Sequence, residues 1–253
     1  MLADRIRSMR SLHWIALFGG VLLAWIVLYA MAVPADLRDA SKVFGAQFWS
    51  DLCNVTPDLA GFGKLILMWA LMSTAMMLPT TLPALAAYDD LANSGAQTNP
   101  FLLIAGFLLV WWGFSLLAAA LQMALFKADL VSAFGDSRSQ LLSAALLTLA
   151  GAYQFSTFKE SCLAKCRAPV SFYLQHWDDG PLKMGLRLGA SCVGCCWALM
   201  ALAFVGGVMS LAFMGLATFV MIVEKLPDLG RWISRPLGGA LLVAAGSVAL
   251  TGI

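Results

Sequence analysis

Apolar residues along this chain gather into long runs instead of alternating with polar ones. The runs are Leu12 to Val33, Leu65 to Ala87, Pro100 to Phe126 and Gln140 to Phe155. A helix that crosses the hydrocarbon core of a bilayer needs about 20 mostly apolar residues. The run from Leu188 to Val223 is 36 residues long, more than one crossing needs at about 1.5 Å per residue. Gly206-Gly207 lies at its midpoint, and glycine permits the tight reversal that would divide it. The pattern predicts two short spans, 188–205 and 208–223, and a last one over 236–253. With 12–33, 65–87, 100–126 and 140–155 this makes seven helices in a single membrane domain over 1–253. The expected fold class is all-α, a polytopic membrane helix bundle.

Two connections are long enough to fold locally. In the 34–63 loop, Leu37, Ala40, Phe44 and Phe48 recur at helical spacing, which predicts a helix lying on the membrane surface. The 157–187 loop opens with Thr157 and Glu160 in capping-box spacing. A short helix should run from there to Arg167, because Pro169 disfavours helical geometry in the residue before it.

Charge orients the bundle. With the N-terminus in the cytoplasm, eleven of the 16 Lys and Arg fall inside and five outside, as the positive-inside rule requires. Treating 188–223 as one span would give eight and eight. Three arginines precede the first run, as in a secretory signal, but the run is about 22 residues and lacks a clean small-residue cleavage pattern, so it reads as a retained helix.

Composition agrees: 61% of residues are hydrophobic and 12% charged, and the mean hydropathy is +0.83. An ordinary soluble domain is roughly 25% charged, so a disordered chain, a nucleic-acid module and a soluble enzyme of usual make-up are excluded. The fourteen acidic residues lie in loops or at span ends, Glu224 nearest the hydrocarbon. Proton relays and cation pumps place such groups inside the membrane, and none is expected here. The two histidines, His13 and His176, are far apart, which disfavours a haem pair or an imidazole–carboxylate metal site. No phosphate loop, dinucleotide fingerprint or Ser-His-Asp arrangement is readable, and no catalytic residues are expected. His176 and Trp177 read as an interfacial anchor, and the Trp111-Trp112 pair as packing.

Sulfur is the chemistry that remains. Five of six cysteines fall between 162 and 196. Cys162 and Cys166 share a face of the short helix, and Cys192, Cys195 and Cys196 share one in the fifth span. Met200 follows one turn later, and Met76 and Met77 precede Pro79 in the second span. Soft thiolate and thioether ligands select Cu(I), and thiolates also suit zinc. On this topology Cys196 and Met200 lie roughly 12 and 18 Å from the inner end of their span, a level that Met76 and Met77 match. Pro79 and Pro83 should kink the second span, with the Thr80 and Thr81 hydroxyls satisfying the freed carbonyls. Cysteine also packs as a small hydrophobe, so a bland reading stands beside the metal one. Cys53, alone on the outer side, has no partner there for a disulfide. Gly185 with Gly189, and Gly239 with Gly246, should let helices approach closely.

The motifs MWALMSTAMMLPTTLP at 68–83, FKESCLAKCRAPVSFYLQHWDDG at 158–180 and MGLRLGASCVGCCWALMALAFVGGVMSLAFM at 184–214 resemble a bacterial family of predicted metal-binding integral membrane proteins. That family is catalogued as a domain of unknown function, and the likeness extends from Lys64 to about residue 242. The resemblance implies metal-related roles for Cys162, Cys166, Cys192, Cys195, Cys196, Met76, Met77 and Pro79. It also implies a histidine before the second glycine of GLRLG, where this chain carries Leu188.

The expectation is an inner-membrane protein that binds copper, or failing that zinc, for handling or delivery. Its ligands would come from Cys162, Cys166, Cys192, Cys195, Cys196, Met76, Met77 and Met200. Its partners would be the lipid bilayer and other membrane subunits or a metal-carrier protein, with no nucleic acid. Two alternatives stay open: a non-catalytic scaffold of a larger membrane complex, and a thiol oxidoreductase using Cys192 and Cys195.

Overall fold

The computed structural model describes residues 12–32, 58–93, 98–132, 134–227 and 229–251. The surface helix expected around Leu37 to Phe48, and Cys53, lie outside the described residues. Within them the chain is helical, and its one β-bridge joins Val131 to Ser137.

In chain order the helices are α1 (Leu12–Ala32), α2 (Leu59–Thr80), α3 (Leu82–Asn93), α4 (Pro100–Lys127), α5 (Gln140–Tyr153) and α6 (Thr157–Arg167). They continue with α7 (Pro169–Gln175), α8 (Gly180–Ala201), α9 (Ala203–Gly206), α10 (Leu211–Glu224) and α11 (Leu229–Thr251). Five are long and apolar enough to cross a membrane: α1, α2, α4, the stretch Trp177–Gly206 around α8, and Trp232–Thr251 within α11. The pair α5 and α6 would make a sixth only as one span bent by 62°.

The two remaining helices of the seven-span expectation are short. Both α5 and α10 have 14 residues, about 21 Å of rise against roughly 30 Å of hydrocarbon. The other differences lie at the ends. The second predicted span is two helices broken at Thr81, and the fifth begins at Gly180, eight residues before Leu188. The last begins at Leu229 and carries Pro236 inside it.

Side-chain caps start five of these helices. Asp58 accepts from Gly61 N, Asn99 from Leu102 N, Ser139 from Leu142 N and Ser210 from Phe213 N. Each satisfies a backbone donor that the first helical turn leaves unpaired. The capping box expected of Thr157 and Glu160 does not form: Ser156, one residue earlier, caps α6 through Phe158 N, and Glu160 pairs with Arg167 at 2.9 Å. As expected α6 stops at Arg167, and Pro169 opens α7, where its missing N–H costs nothing.

Packing is closest between α4 and α8. A Cβ on Gly185 would lie 2.1 Å from the Leu103 carbonyl oxygen, and one on Gly189 3.0 Å from that of Phe107. That is the close approach expected of the pair. Gly239 and Gly246 face open space instead; α11 meets α5 through Gly238, whose Cβ would stand 2.7 Å from Gln154 Cβ. The two are antiparallel: Gln140 Nε2 at the start of α5 donates to Val248 O near the end of α11. Gly207, at φ +92°, makes the expected reversal between α9 and α10.

A candidate metal centre in the bundle core

The spacing of three cysteines on α8 converges in space. The Sγ atoms of Cys192, Cys195 and Cys196 all lie within 4.8 Å of one another, each residue 1% exposed. Cys195 Sγ is 3.2 Å from Cys196 Sγ and donates to the Cys192 carbonyl at 3.1 Å. All are free thiols. Because α8 starts at Gly180, Cys192 and Cys196 stand 12 and 16 residues along it, about 18 and 24 Å from its first turn. The cluster is therefore deeper than a helix beginning at Leu188 would place it.

The other sulfurs divide. Cys166, half-buried near the end of α6, lines a small cavity of about 10 Å³ with Thr80, Thr81, Leu188, Cys192 and Lys225. Cys162, one turn earlier, packs on a neighbouring face of α8, where a Cβ on Gly194 would come within 2.7 Å of its Sγ. Met76 and Met77 are buried in the last turns of α2, and Met200 one turn beyond Cys196. Leu188, where the resemblance implies a histidine, faces this same cavity. A wider cleft of about 970 Å³ between the α5–α6 bend and α11 is lined by residues such as Gln154, Glu160, Trp232 and Arg235. It contains none of these cysteines.

The helix breaks beside the site at Thr81, after Pro79, but the threonine hydroxyls do not take the carbonyls that the prolines free, those of Ala75 and Pro79: Thr80 Oγ1 donates to Met77 O at 2.8 Å and Thr81 Oγ1 to Leu78 O at 2.7 Å. The histidines stand elsewhere: His13 pairs with Asp89 at 2.9 Å, and His176 Nδ1 lies 2.9 Å from Phe172 O. Trp111 is fully buried, whereas Trp112 is half exposed.

Sequence reasoning missed the charge beside the thiols. Lys225, 6% exposed, donates from Nζ to Cys192 Sγ at 3.0 Å and to Thr80 Oγ1. The preceding residue, Glu224, accepts from Lys159 Nζ at 2.9 and 3.0 Å, and both side chains are 1% exposed. Arg167 Nε donates to the Glu224 carbonyl at 2.9 Å. Ionisable groups thus occupy the core at the end of α10, where none was expected. The one available signal was Glu224-Lys225 closing an apolar run, and nothing local says that such a pair turns inward.

Three convergent thiols with a fourth beside them suit a soft metal ion, which thiolate sulfur binds in preference to hard cations. Their free, buried state suits capture without competition from water. Residues 66–248, well over half of the chain, match the profile of a family described as copper chaperone (PpoB2). Among curated proteins and solved structures, none matches this chain.

Proposed function

The chain belongs to the copper chaperone family, and from that we propose that it is a multi-pass inner-membrane protein that takes Cu(I) as cargo on Cys192, Cys195 and Cys196 and passes it on. The observation that carries this reading is the convergence of the three buried thiols within 4.8 Å. Soft, polarisable sulfur and the lack of imidazole at the site favour Cu(I) over harder ions. Cys166, the more open thiol beside Cys192, is the exchange ligand through which cargo enters or leaves. Met76, Met77 and Met200 supply weaker thioether donors on the inner side, and Cys162 steadies α6 on Gly194.

In this reading the single membrane domain crosses the bilayer seven times from a cytoplasmic N-terminus. Helices α5 and α10 are the short crossings, and their ends leave room for α6 and the buried charges. The lipid bilayer surrounds it, and a metal-carrier protein or a membrane subunit receives the cargo. Burial of Cys192 and Cys195 weighs against a thiol oxidoreductase, whose attacking sulfur must be reached.

Elemental analysis of the detergent-purified full chain tests the reading. Wild type should carry copper in stoichiometric amount, and the triple Ser variant at Cys192, Cys195 and Cys196 should carry none. Cys162→Ser should keep its metal, whereas Cys166→Ser should keep it but exchange it more slowly with a soluble copper chelator. Zinc in place of copper would overturn the cargo assignment. Full loading of the triple variant, or an empty wild type that co-purifies with other subunits, would overturn the metal role and favour the scaffold.

A further inference from the structure

We infer that Lys225 is the built-in counter-charge of the thiol triad, a positioning residue that keeps a thiolate-bound cargo close to electrical neutrality. The inference rests on the metal-binding reading above. Lys225 is buried, and its ammonium makes two contacts, to Cys192 Sγ at 3.0 Å and to Thr80 Oγ1. Among the described residues no carboxylate pairs with it, since Glu224 beside it is held by Lys159. A buried ammonium without a carboxylate needs another anion, and the thiol cluster is the one within reach.

The charge of Lys225 matters once cargo is bound. A monovalent ion on two thiolates carries one net negative charge, and on three thiolates two. In a dry interior such charge is costly unless an opposite charge stands beside it. Lys225 offsets one unit directly at the ligand atom. Capture forms two or three metal–sulfur bonds, releases the protons of those thiols that carry them, and involves no redox change. Release reverses the same steps.

The ammonium is also fixed in place. Lys225 directly follows α10, whose last residue is pinned by Lys159 at its carboxylate and by Arg167 at its carbonyl. Thr80 Oγ1 spends its own proton on Met77 O and so presents lone pairs to Nζ. The lysine therefore joins three elements, the end of α10, the kinked end of α2 and the triad on α8. A flexible surface lysine could not be held this way.

The test is a competition titration of Ag(I), a redox-stable monovalent soft ion, with a soluble thiol chelator on the detergent-purified full chain. Removing an outer partner of a metal ligand typically costs 10–100-fold in affinity. Lys225→Gln should lose that much, Lys225→Arg should recover most of it, and Thr80→Val should fall between. Melting of the metal-free proteins separates packing from charge: a merely structural lysine would lower stability in all variants and leave Ag(I) affinity unmoved in those that fold. Equal affinity in Lys225→Gln and Lys225→Arg would overturn the inference while leaving the triad as a metal site. Wild type that binds no Ag(I) would overturn both. Where Lys225→Gln does not fold, a Thr80→Val protein that folds and binds as wild type does would also overturn it.

Discussion

The indole of Trp25 donates at 3.1 Å to the carbonyl of Ala75, the group that Pro79 one turn later leaves without its helical donor. A proline cannot give the N–H that position 79 owes to position 75. A tryptophan on α1 supplies it, so the kink that carries Met76, Met77 and Thr80 is tied to the first helix. Trp25→Phe should cost about 1–3 kcal/mol through the orphaned carbonyl, read by denaturant or thermal unfolding in detergent. Combined with Pro79→Ala, which restores the intrahelical bond, it should cost clearly less than the sum of the two.

Two glycines at superficially similar helix positions should answer oppositely to alanine. At Gly185 the new Cβ would stand 2.1 Å from a backbone oxygen of α4, an atom that cannot turn aside. Overpacking of this kind costs about 1–3 kcal/mol or more, and Gly185→Ala should lower the unfolding midpoint. At Gly239 there is nothing within 4 Å. Gly239→Ala should be neutral or stabilise by up to about 1 kcal/mol, the difference in helix propensity.

The Lys159–Glu224 pair should show the asymmetry of buried charge. With both side chains 1% exposed, Lys159→Met strands a carboxylate and should destabilise by about 3–5 kcal/mol. The Lys159→Met, Glu224→Leu protein should recover most of this, because two apolar groups leave no charge unpaired. If the single and double variants unfold alike, the pair contributes nothing beyond packing.

Leu188 lines the cavity that Cys166, Cys192 and Lys225 share. Leu188→His should place an imidazole beside the thiols and widen the site's range toward borderline ions, which thiolate–imidazole sets bind well. Co(II), added as a spectroscopic stand-in for zinc, should then give tetrahedral absorption bands that are weak or missing in wild type. Identical Co(II) spectra in the two proteins would mean that position 188 does not reach the metal.

Much of the framework was legible because it is written in short-range spacing. Long apolar runs announced the long helices, and Cys192, Cys195 and Cys196 shared a face by helical geometry alone. Gly206-Gly207 marked a reversal that Gly207 makes with a positive φ. Where sequence and structure differ by one residue, local end geometry decides: Ser156 and not Thr157 caps α6, and Gly238 and not Gly239 meets α5. A one-residue shift moves a side chain about 100° around a helix, which run length does not register.

The sequence by itself determined that the chain is all-helical and apolar enough for a membrane, and that its chemistry is sulfur without imidazole. Only the tertiary structure decided that Cys166 shares a cavity with Cys192 while Cys162 does not, and that Lys225 reaches Cys192 and Thr80. The physical reason is range. Periodicity records which residues share one helix face, whereas a contact between Thr80 and Lys225, 145 positions apart, depends on how separate helices are set against each other. A buried lysine looks like any loop lysine until the fold supplies its thiol partner.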